Sequence, residues 1–285
     1  MLGFLNVYKP VSMTSHDVVG ILRRITKIKQ IGHTGTLDPF AQGVLSIAIG
    51  KATRLIEFLE DDKEYLAEVS FGVETDTYDC DGEPVSKSDL KVDEEQILEG
   101  LKSFRGEISQ LPPIYSALKV NGKKLYEYAR EGKEVKIEPR NVTIEKIELK
   151  SFDKENQKAK ILIKCSKGTY IRSIAYDLGK LLGCGAHLSE LIRTQAGALE
   201  VENSIQLDDI KNAQDVEKKL INPLDMINFP QIEVDEEEQK KVLMGQFLPN
   251  KSQLKDNDFL ILVYNKNISA IAQIKDNQIR VKKVF

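Results

Sequence analysis

The sequence predicts an α+β protein of two domains, and three observations carry that reading. Strand-like and helix-like segments intersperse through the first two hundred residues. A proline-stiffened, basic stretch interrupts them at 108–140. Beyond Phe229-Pro230, short strands alternate with turns bearing Asn and Asp. The predicted boundaries are 1–228 for the larger domain, with 108–140 as a projecting insertion, and 229–285 for a compact β domain. A chain of 285 residues is long enough to bury a full core and to divide in this way.

Composition removes several function classes. The chain is 41% hydrophobic and 30% charged, with no tryptophan and no low-complexity tract. Its longest uncharged apolar run, 40–50, falls short of the roughly 20 residues needed to span a bilayer. The first residues lack the basic and apolar regions of a signal peptide, so a cytoplasmic protein with no membrane partner is expected. Three cysteines, Cys80, Cys165 and Cys184, with no Cys-x-x-Cys pair, argue against a disulfide framework or a zinc site. Three dispersed histidines argue against a histidine-based metal site, and no metal or cofactor is expected. The net charge of −3 means that a nucleic-acid partner would have to be held by a local basic surface.

The elements follow in order. Residues 3–8 read as a strand broken at Lys9-Pro10. Thr14-Ser15 offers a helix N-cap, Asp17 suits the first turn, and Val18, Ile21, Leu22, Ile25 and Ile28 make an apolar stripe. Arg23, Arg24, Lys27 and Lys29 are placed in the last turns of that helix, where they favour its negative end. Next comes the polar loop Gly32-His33-Thr34-Gly35-Thr36-Leu37-Asp38-Pro39, running into the buried strand predicted over 40–50. Asp38 precedes a proline, which drives its backbone to extended geometry and holds its carboxylate outside any helix. A short apolar helix to Leu59 precedes a half-buried strand from Lys63, in which Tyr65, Ala67, Val69 and Phe71 share one face. On pattern alone Tyr65 is a core or rim residue.

The acidic run 76–82 lacks the first and last ligands of a calcium loop and reads as a solvated turn. Asp93 caps a helix whose apolar positions are Ile97, Leu98, Leu101 and Phe104. Within 108–140, Asn121-Gly122 is a hairpin turn signal and Gly132 closes a short helix from Leu125. From Lys119 to Arg140 seven basic residues face four acidic ones, interleaved with Tyr126 and Tyr128, a composition suited to gripping a phosphate backbone or to a solvated helix. Strands are expected over 142–149 and 159–165. A helix follows with the buried stripe Ile171, Ile174, Ala175, Leu178 and Leu182. Arg172 lies off that stripe in the first turn, where a cation opposes the helix dipole and so suggests an anionic partner elsewhere. His187 reads as a turn or packing residue, a strand is expected over 195–201, and 204–227 reads as two short polar helices in a linker.

Taken together and in order, the motifs resemble the bacterial tRNA pseudouridine synthases of the TruB type. The matching blocks are Lys9-Pro10, the Gly32–Pro39 loop with Gly43-Val44-Leu45, Lys63-Glu64-Tyr65 before Thr75-Asp76-Thr77, Pro112-Pro113 with Ser116-Ala117-Leu118-Lys119, and Cys165–Arg172 with Gly185-Ala186-His187-Leu188. They span residues 3–200. The resemblance implies a mixed β-sheet pseudouridine-synthase domain with a thumb-like insertion, followed by a small C-terminal RNA-binding domain of the PUA-like β-barrel type. It implies a cofactor-free isomerase acting on uridine 55 in the T-arm stem-loop of tRNA, as a monomer without an obligate protein partner. Within it, Asp38 would be the catalytic carboxylate, Arg172 its ion-pair partner, Tyr65 the ring stacked on the flipped base, and Tyr170 and Leu191 pocket contacts. His33 would support the flipped-out RNA. The alternative reading is an RNA chaperone or binding module acting on tRNA folding independently of catalysis.

Overall fold

The 40–50 run is apolar at both parities because its strand is covered on both faces. The computed structural model describes Met1–Phe285, and in it β1 (Gly3–Lys9) pairs antiparallel with the strand of that run. Helix α1 (Ser15–Thr26) follows, held at its start by a reciprocal Thr14–Asp17 capping box. The run itself forms β3 (Gln42–Ile49), which pairs antiparallel with the short strand β2 (Ile31–His33) before the loop. Leu5, Val7, Leu45, Ile47 and Ile49 face α1 and share a core with Val18 and Leu22. Phe4, Val44 and Ala48 point the other way, into a core shared with Ile261, Val263, Ile268 and Ile271 near the C-terminus.

The sheet continues through β4 (Lys63–Phe71), reached by a 3-10 helix over Gly50–Phe58 rather than an α-helix. Helix α2 (Glu94–Lys102) is capped by Asp93 as expected. Then come β5 (Gly106–Gln110), the insertion with α3 (Leu125–Arg130), β6 (Arg140–Asp153), β7 (Lys158–Cys165), α4 (Ile171–Leu181) and β8 (Ala186–Ala196). In the ten-stranded sheet the spatial order is β1-β3-β8-β4-β7-β6-β5, with the short strand Ile205–Gln206 on the outer edge of β1. Neighbours from β8 to β5 are antiparallel. Between them and the β1–β3 half lies a parallel seam of two residue pairs, Ile192↔Gln42 and Arg193↔Gly43. The loop carrying Asp38 empties into that seam. Helices α2 and α4 cover one face of the antiparallel half, where Tyr65, Ala67, Val69 and Phe71 pack with Ile97, Ile174 and Leu178.

The insertion leaves the sheet between β5 and β6, whose ends pair at Gln110↔Arg140. Asn121 and Gly122 both adopt positive φ, the geometry of a tight hairpin turn between Lys119–Val120 and Lys123–Lys124. Residues 231–284 build a second sheet of five strands, with α5 (Glu236–Leu243) packed on one face. Its other face lies against the 3-10 helix, with Phe58 meeting Phe229 and Phe259. No helix of the protein is long and apolar enough to cross a membrane.

Several expectations are corrected. Helix α1 stops at Thr26 because Lys27 turns left-handed at its C-cap, so Lys27 and Lys29 lie beyond the helix, and Arg23 bends back to donate to the Ile31 carbonyl. Leu98 is 46% exposed, lying off the face that buries Ile97 and Leu101. The strand expected at 195–201 begins at Ala186, because 186–196 pairs along the whole of β4. The 204–227 segment is no linker. It adds a strand to β1 and buries Leu207, Ile210, Val216, Met226 and Ile227, apolar residues spaced too widely among polar ones to read as a packed face.

Two features at the seam generate predictions. Gly43 has φ 102°, and a Cβ there would stand 2.3 Å from the Arg193 carbonyl oxygen. Gly43→Ala is therefore expected to destabilise the fold by at least about 2 kcal/mol, read as a lowered denaturation midpoint. Lys9 is 0% exposed, and its ammonium donates to the carbonyls of Pro10, Met13 and Pro39. Burial pushes its pKa from an ordinary 10.5 down to about 8, with Asp38 pulling the other way and Arg193 adding to the fall. Below about 8 the buried charge carries its full desolvation cost. From about 8 to 10.5 the folded chain releases the proton before the unfolded chain does, so this group's contribution rises with pH. The stability difference between wild type and Lys9→Met should be flat below pH 8 and shift in favour of wild type above it, measured by denaturant titration across that range.

Candidate active site

The loop from Thr34 to Ala41 is pinned by backbone contacts from three directions, which is what a rigid carboxylate requires. At the start of α1, the buried Ser15 hydroxyl accepts from the Leu37 amide at 2.8 Å and lies 3.2 Å from its carbonyl. The Pro39 carbonyl accepts from the Ser12 amide and from Lys9. From β8, Arg193 donates Nε to the Val44 carbonyl at 2.7 Å and Nη2 to the Gly35 carbonyl at 3.1 Å, tying together the two flanks of the loop. Asp38 stands at the tip, its side chain 36% exposed.

Opposite it, Arg172 is 5% exposed, although the helical pattern set it off the buried stripe. Its Nε lies 3.0 Å from Asp38 Oδ2, and Nη2 donates to Asp38 Oδ1 at 3.2 Å and to the Tyr115 carbonyl at 2.9 Å. Nη1 donates to Asp79 Oδ2 at 3.0 Å and to the Thr77 carbonyl at 3.2 Å. The five N–H groups of the guanidinium thus meet five acceptors, a planar fork that lysine cannot reproduce. Buried Gln110, at the end of β5, holds the start of α4 by accepting from the Tyr170 amide at 2.8 Å and donating to the Tyr170 carbonyl at 3.0 Å. Ser173 adds a bond to the Leu111 carbonyl.

The acidic run read as a solvated turn is therefore corrected. Asp79 is buried, accepts from the Thr77 hydroxyl at 2.6 Å and the Asp81 amide at 3.1 Å, and is the second anion on Arg172. Burial pushes its carboxyl up, with Thr77 and Arg172 opposing that rise. The loop is fixed from its other side as well. Tyr78 takes a left-handed φ of 66° and stacks on Tyr176, ring centroids 3.9 Å apart, one helical turn beyond Arg172.

These contacts enclose a cavity of about 420 Å³. Asp38, Tyr65, Tyr170, Arg172 and Leu191 all line it, so five of the six residues singled out from sequence meet in one place. Tyr65 on β4 is buried beside Arg193 on β8, its register partner. Burial raises its phenol pKa, which the Arg193 charge opposes. His33 lies outside, in an adjoining groove of about 700 Å³ that shares Asp38 and Arg172 with the cavity and is bounded across from them by Lys124, Tyr126 and Arg130 of the insertion. Burial lowers the His33 pKa, with Arg193 and His16 adding to the effect. The sequence reading missed Asp79, Gln110 and Arg193. Only Arg193 carried a usable signal: a cation two residues after Leu191, on the inward face of a strand. The arrangement can hold a planar ring against Tyr65 while presenting one immobilised carboxylate to an atom beside it.

Comparison with known proteins agrees with this geometry. Residues 23–171 match the TruB family pseudouridylate synthase N-terminal domain, and 172–227 match the tRNA pseudouridylate synthase B C-terminal domain. The chain is 45% identical to the tRNA pseudouridine synthase B of Caldanaerobacter subterraneus subsp. tengcongensis, over 99% of each chain. It is 42% identical to that of Oceanobacillus iheyensis, over 100% of this chain and 98% of the relative. Among solved structures, an H/ACA RNP bound to a substrate RNA containing 2′-deoxyuridine superposes with a TM-score of 0.71 at 25% identity, covering 99% of this chain and 84% of that one. A Cbf5-Nop10-Gar1 complex gives 0.71 at 26% identity, with the same coverage. With a family domain matched over more than half its length and relatives matched end to end, the chain belongs to the TruB family of pseudouridylate synthases.

Proposed function

We infer that this protein isomerises uridine to pseudouridine in tRNA. The observation that carries the reading is the cavity in which the Asp38 carboxylate, fixed by Arg172, stands beside the Tyr65 ring. The product is an isomer of the reactant: the N1–C1′ bond breaks, C5 bonds to C1′, C5 loses a proton and N1 gains one. No oxidant or group donor enters that balance. The target base must leave its stack, which costs a few kcal/mol, and stacking on one aromatic ring returns roughly 1–3 kcal/mol. Tyr65 supplies the ring, Tyr170 and Leu191 the apolar walls, and Asp38 the carboxylate that meets the sugar or the base. Arg172 positions Asp38 and, through Asp79 and Tyr115, joins it to the acidic loop and the insertion.

The finer reading is uridine 55 in the T loop. The cavity's carboxylate opens toward the groove walled by Lys124 and Arg130, which suits a stem-loop whose backbone is gripped while one base enters. His33 in that groove would pack where the extruded nucleotide leaves the loop. The unit 229–285 would act as a further RNA-binding domain of PUA-like type. A chain carrying its own insertion suits independent action, as a monomer in the cytoplasm.

Two experiments test these roles. Release of the C5 proton from tRNA labelled there should fall at least about 10³-fold in Asp38→Asn, with tRNA affinity retained. Full turnover in that variant would remove Asp38 from the chemistry, and loss of binding along with turnover would argue against a chaperone role separable from catalysis. Arg172→Lys leaves three donors for five acceptors and strands Asp79 in a buried site. Both the thermal midpoint and turnover should fall, turnover by about 10²-fold or more, measured on the same preparation.

A further inference from the structure

Arg193 is a buried cation without an anion. Its side chain is 1% exposed and forms no ion pair, and both of its hydrogen bonds go to neutral carbonyls, those of Val44 and Gly35. The third nitrogen, Nη1, is buried and forms no well-aligned hydrogen bond, the Tyr65 hydroxyl is the polar group within reach of the guanidinium, and the residue lines the cavity that Asp38 and Tyr65 share. An unpaired guanidinium in a low-dielectric interior costs several kcal/mol, and folding gains no carboxylate to offset it. Its place is set by the backbone: Arg193 is the register partner of Tyr65 on one side and of Gly43 on the other. Fixing the loop flanks uses two nitrogens and requires no charge. A neutral donor at this position could do the same.

We propose that Arg193 stabilises the negative charge that develops on the uracil ring as its glycosidic bond breaks. When N1–C1′ cleaves, the bonding pair leaves with the base, spread over N1 and the two carbonyl oxygens. On the sugar side the pair is replaced either by a bond from Asp38 to C1′ or by loss of the C2′ proton to Asp38. In both cases the base remains anionic until C5 bonds to C1′ and the proton balance is restored. A base lying on Tyr65 sits beside the buried guanidinium, and a fixed charge in a water-excluded site acts there without reorganising. Arg193 thus serves the departing base while Arg172 serves the carboxylate. This assignment rests on the isomerisation reading, which wild-type conversion of uridine tests independently.

The test uses the full chain and single-turnover kinetics on a tRNA carrying either uridine or 5-fluorouridine at the target position, scored as loss of the starting nucleoside. Arg193→Gln should slow uridine cleavage about 10²-fold with tRNA affinity within about twofold of wild type, and Arg193→Lys should recover much of the rate. Because fluorine already stabilises the anionic base, the loss in Arg193→Gln should shrink to about tenfold or less on 5-fluorouridine. An unchanged rate overturns the proposal. So does an equal loss on both substrates, which would mark a structural role, or a loss confined to affinity, which would mark a phosphate contact. If Arg193→Gln melts below the assay temperature, the same two-substrate comparison is made with wild type and Arg193→Gln at a lower temperature at which both are folded: a smaller loss on 5-fluorouridine than on uridine supports the proposal, and equal losses overturn it.

Discussion

The contacts of the Arg172 guanidinium, four hydrogen bonds and the ion-pair contact of its Nε, determine how the site is assembled. One side chain at the start of α4 reaches Asp38 between strands β2 and β3, Thr77 and Asp79 after β4, and Tyr115 at the base of the insertion. Three segments far apart in the chain therefore share one planar acceptor set. Two carboxylates on a single cation leave the cluster formally anionic by one charge, and only Asp38 is open to the cavity. The buried Asp79 shares the cation, which leaves the Asp38 carboxylate directed by hydrogen bonds while its charge is less fully compensated than in an isolated pair.

The sheet sets the stage for that network by changing direction beneath it. Where β3 and β8 run parallel for two residue pairs, the strands cannot be joined by a hairpin, and the loop before β3 is free to arch over the seam. The close approach is made possible by Gly43, which has no Cβ to meet the Arg193 backbone. Arg193 then holds the loop from below and Ser15 and Lys9 hold it from the side, so rigidity comes mostly from side chains bonded to backbone carbonyls. A loop fixed in this way carries its carboxylate on a scaffold nearly as stiff as a strand.

Charge is distributed unevenly in a chain whose total is −3. Lys63, Lys167, Arg172 and Arg193 surround the cavity, and Lys124 and Arg130 border the adjoining groove, against Asp38 and Asp61 in the cavity and Asp79 and Asp81 at the groove. A polyanion meeting such a surface is attracted locally and in a salt-dependent way, whatever the net charge of the protein.

The sequence by itself determined the elements and most of the site's membership. The Thr14 and Asp93 caps, the alternation of Lys63–Phe71, the Asn121-Gly122 turn and the three C-terminal strands are local signals, written in neighbouring residues, and each stands in the structure as expected. Asp38, Tyr65, Tyr170, Arg172 and Leu191 came from ordered motifs, and the fold brings them to one cavity. Asp79 and Gln110 were illegible because burial of a polar side chain depends on a partner supplied by a distant segment, and Arg193 was marked only by its place two residues after Leu191 on the inward face of a strand. Asp79 looks like any acidic turn residue until Arg172, 93 positions away, covers it. The same holds for the packed segment 204–227, whose scattered apolar residues acquire a face only when β1 and α1 lie beneath them. Local chemistry decides what each segment can form, and only tertiary contact decides which of its charges are taken out of water.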